Sequence, residues 1–289
     1  MTWHHVAYKD LKMSLRSRLL LGLSTLFVLM VAGGSVALTV LPSDSPIRGA
    51  TLSSDTALIV LLGVSSWLVP IIAIVATYTA IVGERDSGSL RLLLGLGHTR
   101  RSILAGKLVG RSAMLLVSLL AGFTAALVVI LTMYDRLYAA NFAIFALSTS
   151  LFALVYVGLT TGVSASLDSR SQVIAVVVGV FAFFQFLWDG ILIGILFLVT
   201  GDLPVPGENY PAWYVFLTRL SPTNAYEGVV SGVASVGQLP GIPNLSESLT
   251  GVESVPFYLS QWAALAILLF WFVIPILVGA VRFSNADLQ

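Results

Sequence analysis

Long apolar runs, separated by short polar segments, dominate the pattern along this chain of 289 residues. A helix needs ~20 consecutive apolar residues to cross the hydrocarbon core of a bilayer. Six runs reach this length, so we predict an all-α integral membrane protein with six transmembrane helices in a single membrane domain, 1–289. The predicted spans are 19–41, 57–82, 112–133, 141–167, 172–199 and 259–281.

Composition and charge agree with a membrane protein and orient it. Hydrophobic residues make up 57% of the chain and charged residues only 10%, whereas soluble domains carry ~25% charged residues. Of the fifteen Lys and Arg residues, only Arg48, Arg136 and Arg219 fall on the predicted outer side. Because basic residues concentrate on the cytoplasmic side, we predict a multi-pass protein of the cytoplasmic membrane with both termini in the cytoplasm. Basic residues sorted in this way do not indicate a nucleic-acid partner.

The first 18 residues have a different, amphipathic pattern. At roughly 100° of rotation per residue, apolar and basic side chains separate onto two sides of a helix. We predict that residues 1–18 form an interfacial helix that lies along the inner membrane surface, in contact with membrane lipids. The apolar side holds Trp3, Val6, Ala7, Leu11 and Leu15, and the basic side holds Lys9, Lys12 and Arg16.

A basic segment punctuated by glycines, 83–111, joins the second and third spans. Ser87 or Ser89 can cap a short leucine-rich helix, and Gly95 and Gly97 can end it. This helix is too short to cross the bilayer. We therefore expect its leucine face to be buried against something other than lipid.

The residues that follow predict the start of the third long helix. Thr99 can cap this helix, and we expect the side chains of Lys107 and Arg111, one turn apart, to extend toward the lipid headgroups. Arg100 and Arg101 lie in the first turn, where the helix dipole disfavours cations. We therefore predict that these two arginines contact lipid phosphate or a partner rather than stabilise the helix.

Two stretches of the sequence resemble the permease subunits of type-2 ATP-binding-cassette (ABC) exporters. The first lies within 83–111, and the second is a serine-proline stretch that precedes the last span. The first consists of Gly83 and Glu84 closing a span, Gly88, a leucine run, Thr99-Arg100-Arg101 and Gly106-Lys107, and the second of Leu220-Ser221-Pro222-Thr223-Asn224-Ala225-Tyr226.

The resemblance implies that 83–111 is a cytoplasmic coupling loop. In the family, this loop holds a coupling helix that docks into a groove on a separate ATPase subunit and passes nucleotide-driven motion to the membrane helices. The implied complex pairs two permease chains, as a homodimer or a heterodimer, with two ATPase chains that bind ATP and Mg. The residues implied for coupling are Glu84, Arg85, Gly88, Arg91, Leu92, Leu93, Arg100, Arg101 and Lys107.

The fifth apolar run contains two polar side chains, Gln185 and Asp189. At ~1.5 Å per residue, Asp189 lies about 25 Å from the inner end of the run. Either the span continues to Val199, with Asp189 facing a wet interior, or it ends near Trp188 and residues 190–199 dip back into the outer leaflet. We prefer the second interpretation because it resembles the re-entrant outer hairpin of the exporter family.

The segment 200–258 is predicted to form a small outer subdomain, because turn-forming residues begin and end it. We expect a short helix on the outer membrane surface, with Pro222 near its start. Gln185, Asp189, Pro222 and Asn224 are candidates for lining an outer cavity.

The fourth span carries a small-residue face. Gly158 and Gly162, with Ser164 and Ser166 after them, allow another helix to approach closely. The pattern predicts tight helix packing, either within the chain or at a dimer seam.

The sequence lacks the residues needed for ATP hydrolysis, for cysteine chemistry and for a histidine metal site. A phosphate-binding GxxxxGK[ST] loop around Lys107 would need a glycine at Arg101 and a hydroxyl at Leu108, so the chain cannot hydrolyse ATP alone. The chain has no cysteine, and the adjacent His4 and His5 point to different faces, which makes them a poor metal pair. We therefore predict no catalytic residues, no metal site and no cofactor on this chain.

These observations favour a non-catalytic permease subunit of an ABC exporter that moves substrate by means of ATP hydrolysis on a partner. One alternative is a membrane scaffold or assembly factor without transport. Another is a permease that serves maturation of metalloenzymes such as the copper enzyme nitrous-oxide reductase. An ion-coupled carrier would need more mid-membrane polar groups than Gln185 and Asp189 supply. The substrate is not readable from the sequence.

Overall fold

The computed structural model describes residues 3–14, 17–42, 52–97, 99–203, 210–233 and 256–285. Most of these residues are helical, and Ser53 and Arg136 form an isolated β-bridge. The helices are α1 Trp3–Ser14, α2 Arg18–Val40, α3 Ser54–Thr77, α4 Val82–Asp86, α5 Ser89–Gly95, α6 Arg100–Met133, α7 Ala139–Ser166, α8 Arg170–Ala182, a π-helical segment Phe183–Leu187, α9 Trp188–Thr200, α10 Ala212–Thr218, α11 Pro222–Val233, a 3₁₀ turn Phe257–Leu259 and α12 Gln261–Asn285.

Six helical stretches are long and apolar enough to cross a membrane, which confirms the predicted fold class. They are Leu20–Val40, Ser54–Asp86, Arg100–Met133, Ala139–Ser166, Arg170–Thr200 and Gln261–Asn285. We call the end of the bundle that carries α1, α4 and α5 the basic end, and the opposite end, which carries α10 and α11, the loop end. The position of the two termini relative to the membrane stays a prediction.

Helix α7 lies at the centre of the bundle and packs most extensively against α12. A Cβ atom added to Gly162 would lie 2.1 Å from the carbonyl oxygen of Pro275, and one added to Gly279 would lie 2.5 Å from that of Gly162. Real Cβ atoms do not approach backbone this closely, so glycine is required at both positions. The small-residue face of the fourth span is therefore used inside the chain, against the sixth span.

The second span is interrupted near the basic end. Helix α3 continues through Pro70 and ends at Thr77. A turn then precedes α4. The side-chain oxygen of Ser164 accepts hydrogen bonds from the backbone N–H groups of Ile81 and Val82, both at 3.1 Å, and donates one to the carbonyl of Tyr78 at 2.9 Å. A hydroxyl from α7 thus satisfies backbone groups that the interruption exposes.

The fifth span is one helical run from Arg170 to Thr200 with a π-helical turn, Phe183–Leu187, in its middle. It ends at Gly201, whose φ of 82° lies in the left-handed region that favours glycine. Because the helix continues without a turn past Gly190, our preferred interpretation, a dip back at 190–199, is wrong. The span runs through to Thr200, as in the other interpretation.

Helix α11 lies inside the bundle, against α12 and α7. The ring of Tyr226 stacks on Phe152 at 4.5 Å, and its hydroxyl lies 2.7 Å from that of Thr149. Thr149 lies ten residues into α7, about 15 Å from its start at ~1.5 Å per residue. The predicted surface position of this helix is therefore wrong. The subdomain 200–258 stays a prediction, because residues 204–209 and 234–255 lie outside the described ranges.

Candidate functional site

The basic end is built around α4 and α5, which follow one another across a left-handed residue. Gly88 has a φ of 71° and lies directly before α5. The predicted capping by Ser87 or Ser89 is wrong, because Gly88 occupies the cap position and the two hydroxyls bond to each other at 2.9 Å instead. The cap of the next helix is as predicted: the hydroxyl of Thr99 accepts a hydrogen bond from the N–H of Ser102 at 3.2 Å.

The leucines of α5 divide between a buried and an exposed side. Leu90 is buried, and Leu93 packs partly buried against a small cluster that includes Ile103 and Phe283. Leu92 is 71% exposed. Of the two leucines implied for coupling, Leu93 therefore holds α5 against the bundle and Leu92 projects away from it, beside the exposed Arg91.

A buried network of four charges ties α4 to two other helices. The ammonium of Lys107, on α6, lies 2.7 Å from a carboxylate oxygen of Asp10 and 2.7 Å from one of Glu84. The Nε of Arg111 lies 2.7 Å from the second oxygen of Asp10. Lys107 is 2% and Asp10 1% exposed. The prediction that Lys107 and Arg111 reach the lipid headgroups is therefore wrong, because two carboxylates pair with them inside the protein.

Asp10 belongs to this network and was not singled out in the sequence. It lies on the same side of α1 as Val6 and Ala7, four and three residues earlier. An acidic residue on an otherwise apolar helix face is the sequence signal that could have identified it. This side of α1 packs on α6: a Cβ on Gly106 would lie 2.6 Å from that of Val6, and one on Gly110 would lie 2.8 Å from the carbonyl of Ala7. The amphipathic helix is present, and its apolar side contacts protein.

A second set of contacts ties α4 to the turn between α7 and α8. Arg85 forms an ion pair with Asp168 and donates a hydrogen bond to the carbonyl of Leu167 at 3.1 Å. A second ion pair has its acidic member on α4: the Nε of Arg170 lies 2.7 Å from a carboxylate oxygen of Asp86. Two successive residues of α4 are thus paired with the start of the fifth span.

The two arginines at the start of α6 have different surroundings. Arg100 donates hydrogen bonds to the carbonyls of Phe283 at 2.6 Å and Ser284 at 3.0 Å. The last carbonyls of a helix have no partner within it, so Arg100 caps α12. Its contact with lipid or a partner stays a prediction. Arg101 is exposed.

At the loop end, the structure brings together the four residues predicted to line an outer cavity. The side-chain amide of Asn224 donates to Asp189 at 3.0 Å, and the hydroxyl of Thr223 donates to Gln185 at 3.2 Å. Pro222 begins α11. The contacts connect the π-helical part of the fifth span to the start of α11.

Two charged residues near this group were missed by the sequence analysis. Burial raises the pKa of Glu227, with the charge of Asp189 adding to the effect, and its carboxylate accepts a hydrogen bond from Ser66 at 3.1 Å. Arg219, which we had counted as an outer-loop residue, is 8% exposed, and burial lowers its pKa. Residues 212–236 are mostly apolar, so the two charges within this stretch are the sequence feature that could have identified them.

Two tryptophans hold the turn between α10 and α11. Trp188 donates to the carbonyl of Leu217 and Trp271 to that of Leu220, both at 3.0 Å. Below the turn is a cavity of about 500 Å³. It is apolar and is lined by Phe184, Trp188, Leu220, Ala266, Ile267, Phe270 and Trp271. The outer cavity lined by Gln185, Asp189, Pro222 and Asn224 stays a prediction.

Metal-binding chemistry has no candidate among the residues that the structure describes, since they contain no group of three or more His, Cys, Asp or Glu side chains. His98 lies outside the described ranges.

Comparison with known proteins covers nearly the whole chain. The model of the family described as ABC-2 family transporter protein matches residues 4–288. The probable ABC transporter permease protein NosY of Pseudomonas aeruginosa is 31% identical over 91% of this chain and 94% of its own length. Its counterpart of the same name from Stutzerimonas stutzeri is 28% identical over 92% of this chain and 95% of its own length.

This match agrees with the six apolar spans and with the segment 83–111, on which the resemblance was first noted. It favours a transporter subunit over a scaffold or an ion-coupled carrier. The chain belongs to the ABC-2 family and is a membrane permease subunit of an ABC transporter.

Proposed function

We propose that this permease exports a substrate across the cytoplasmic membrane, driven by a separate ATPase subunit that binds ATP and Mg and docks on α5. The observation that carries the proposal is the exposed side of α5. Leu92 and Leu96 are 71% and 62% exposed, and α5 lies outside the six candidate spans. Burying a leucine side chain is worth ~1.5 to 3 kcal/mol, so this surface favours a protein partner.

The charges beside this surface also support docking. Arg91 is exposed next to Leu92, where it can pair with an acidic group on the rim of a groove. Pairs at the rim of an interface contribute mainly to the association rate and to orientation. We assign the affinity to the leucines and the orientation to Arg91.

The attachments of α4 provide a route from the docking surface to the spans. Glu84 pairs with Lys107 of the third span, and Arg85 and Asp86 pair with the turn that begins the fifth. Glu84, Arg85 and Lys107 therefore transmit movement rather than contact the ATPase. Gly88 supplies the bend that sets α5 apart from α4.

The orientation and the assembly are part of the proposal. Basic residues favour the cytoplasm, so we place the basic end there and the loop end outside. Two permease chains, as a homodimer or a heterodimer, would stand over two ATPases. Gln185, Asp189, Pro222 and Asn224 then lie toward the outer side, on the path of an exported substrate.

The test is the substitution Leu92→Ser in the chain expressed together with its ATPase. Losing the buried leucine contact should weaken the association by about tenfold or more, given ~1.5 to 3 kcal/mol per side chain. The measurement is the amount of ATPase that co-purifies with the permease over a range of ATPase concentrations.

The matched control is Leu203→Ser, because Leu203 is 61% exposed and lies just beyond the fifth span at the loop end. This variant should bind the ATPase as the unaltered chain does. Unchanged ATPase binding by Leu92→Ser, together with normal transport, would remove α5 as the docking element.

A further inference from the structure

A groove opens at the basic end between the first turns of α6 and the last turns of α12. Its volume is about 400 Å³. The wall is apolar over most of its length, and two polar residues lie at one end. The lining consists of Leu104, Ala105, Leu108, Ile276, Leu277, Ala280 and Val281, with Arg101 and Ser284 at the polar end.

The position of the groove places it in contact with the membrane. Both helices that form it are candidate spans. Ser284 is eight residues beyond Ile276 on α12, which corresponds to about 12 Å of wall at ~1.5 Å per residue. One leaflet of the hydrocarbon core is about 15 Å deep, half of ~30 Å. The apolar wall is therefore nearly as long as one leaflet of the core is deep.

The charged residue at the polar end of the groove is Arg101, and its surroundings differ from those of Arg100. Arg100 is held by the carbonyls of Phe283 and Ser284. Arg101 is exposed and lies in the first turn of α6, where the helix dipole favours an anion. The groove thus offers a guanidinium for an anion and, directly beside it, a slot without hydrogen-bonding groups.

We propose that this groove binds an anionic phospholipid, with its phosphate on Arg101 and one acyl chain along α6 and α12. The arrangement of one cation above an apolar slot matches a headgroup joined to a hydrocarbon chain. Free phosphate would leave the apolar wall of the groove uncovered.

Native mass spectrometry of the purified permease, without ATPase, tests the proposal. The protein is titrated with phosphatidylglycerol and, separately, with phosphatidylcholine. The unaltered chain should retain one phosphatidylglycerol per chain in preference to phosphatidylcholine, and inorganic phosphate should not displace it. Arg101→Ala should weaken phosphatidylglycerol binding by about tenfold or more, as expected for loss of a hydrogen bond to a charged group.

Two further variants separate the charge from the shape of the groove. Ala105→Leu fills the slot without changing charge and should weaken binding, whereas Ala121→Leu, at an exposed position farther along α6, should not. Lys12→Ala removes an exposed cation of α1 and should also leave binding unchanged. The proposal is overturned if Arg101→Ala or Ala105→Leu binds phosphatidylglycerol normally. It is also overturned if a single cysteine at Ala105 cross-links two chains in membranes, which would place a second copy in the groove.

Discussion

At the scale of single residues, Lys107 joins three helices at the basic end. Its ammonium lies between Asp10 of α1 and Glu84 of α4. Removing an ion from water costs several kcal/mol, and pairing must compensate for this cost. With Arg111 on the other side of Asp10, two cations and two anions balance one another. Loss of any one of them takes a partner away from at least one buried charge.

We expect Asp10→Asn to destabilise the protein strongly, because breaking a buried ion pair from one side costs ~3 to 5 kcal/mol. Thermal unfolding of the purified permease in detergent measures the effect. Asp168→Asn is the control, since that carboxylate is 87% exposed in its pair with Arg85 and exposed pairs contribute ~0 to 1 kcal/mol. Equal losses of stability in the two variants would show that burial of the network does not matter.

At the scale of elements, the interruption of the second span decides where the docking surface lies. A span that continued as a regular α-helix would carry the chain straight on from α3. Instead, α3 ends at Thr77, and Ser164 bonds the backbone of Tyr78, Ile81 and Val82 in the turn that follows. Helix α4 therefore starts from a fixed point on α7.

We expect Ser164→Ala to lower thermal stability and to reduce substrate transported per ATP hydrolysed. The substitution leaves two buried N–H groups without an acceptor, at ~1 to 3 kcal/mol for each such group. Ser166→Ala provides the comparison, because that hydroxyl bonds only the carbonyl of Gly162 in its own helix, at 2.8 Å. If the two variants behave alike, Ser164 does not position α4.

The elements were predictable from the sequence to the extent that they depend on nearby residues. The six spans follow from apolar length, and the cap by Thr99 depends on a residue three positions away. The failures involve distant partners: Asp10 is 97 residues from Lys107, and Thr149 is 77 from Tyr226. No local pattern encodes such contacts, so Lys107 was predicted in lipid headgroups and α11 on the membrane surface.

At the scale of the whole molecule, the two ends of the bundle differ in their charged groups. At the basic end, several ion pairs join helices. At the loop end, the buried Arg219 and Glu227 contact the carbonyl of Leu259 and the hydroxyl of Ser66. An exporter of the proposed kind needs its ATPase-docking surface in the cytoplasm. The polar residues at the loop end then lie on the outer side.

Cysteine labelling tests this orientation, and the chain has no cysteine of its own. A cysteine at Ser87 should react with a membrane-impermeant reagent only when the cytoplasmic side is exposed. One at Asp202 should react in intact cells. Both positions are exposed. The reverse pattern would place the basic end outside and would exclude docking of a cytoplasmic ATPase on α5.

The close approach of α7 and α12 limits how the permease can move. With Gly162 against the carbonyl of Pro275, and Gly279 against that of Gly162, the two backbones interlock and cannot slide or rotate past one another without collision. The fourth and sixth spans must then travel as a single body. We expect the movements of a transport cycle to occur around this pair, and the fifth span, which is buried over little of its length, has room to move.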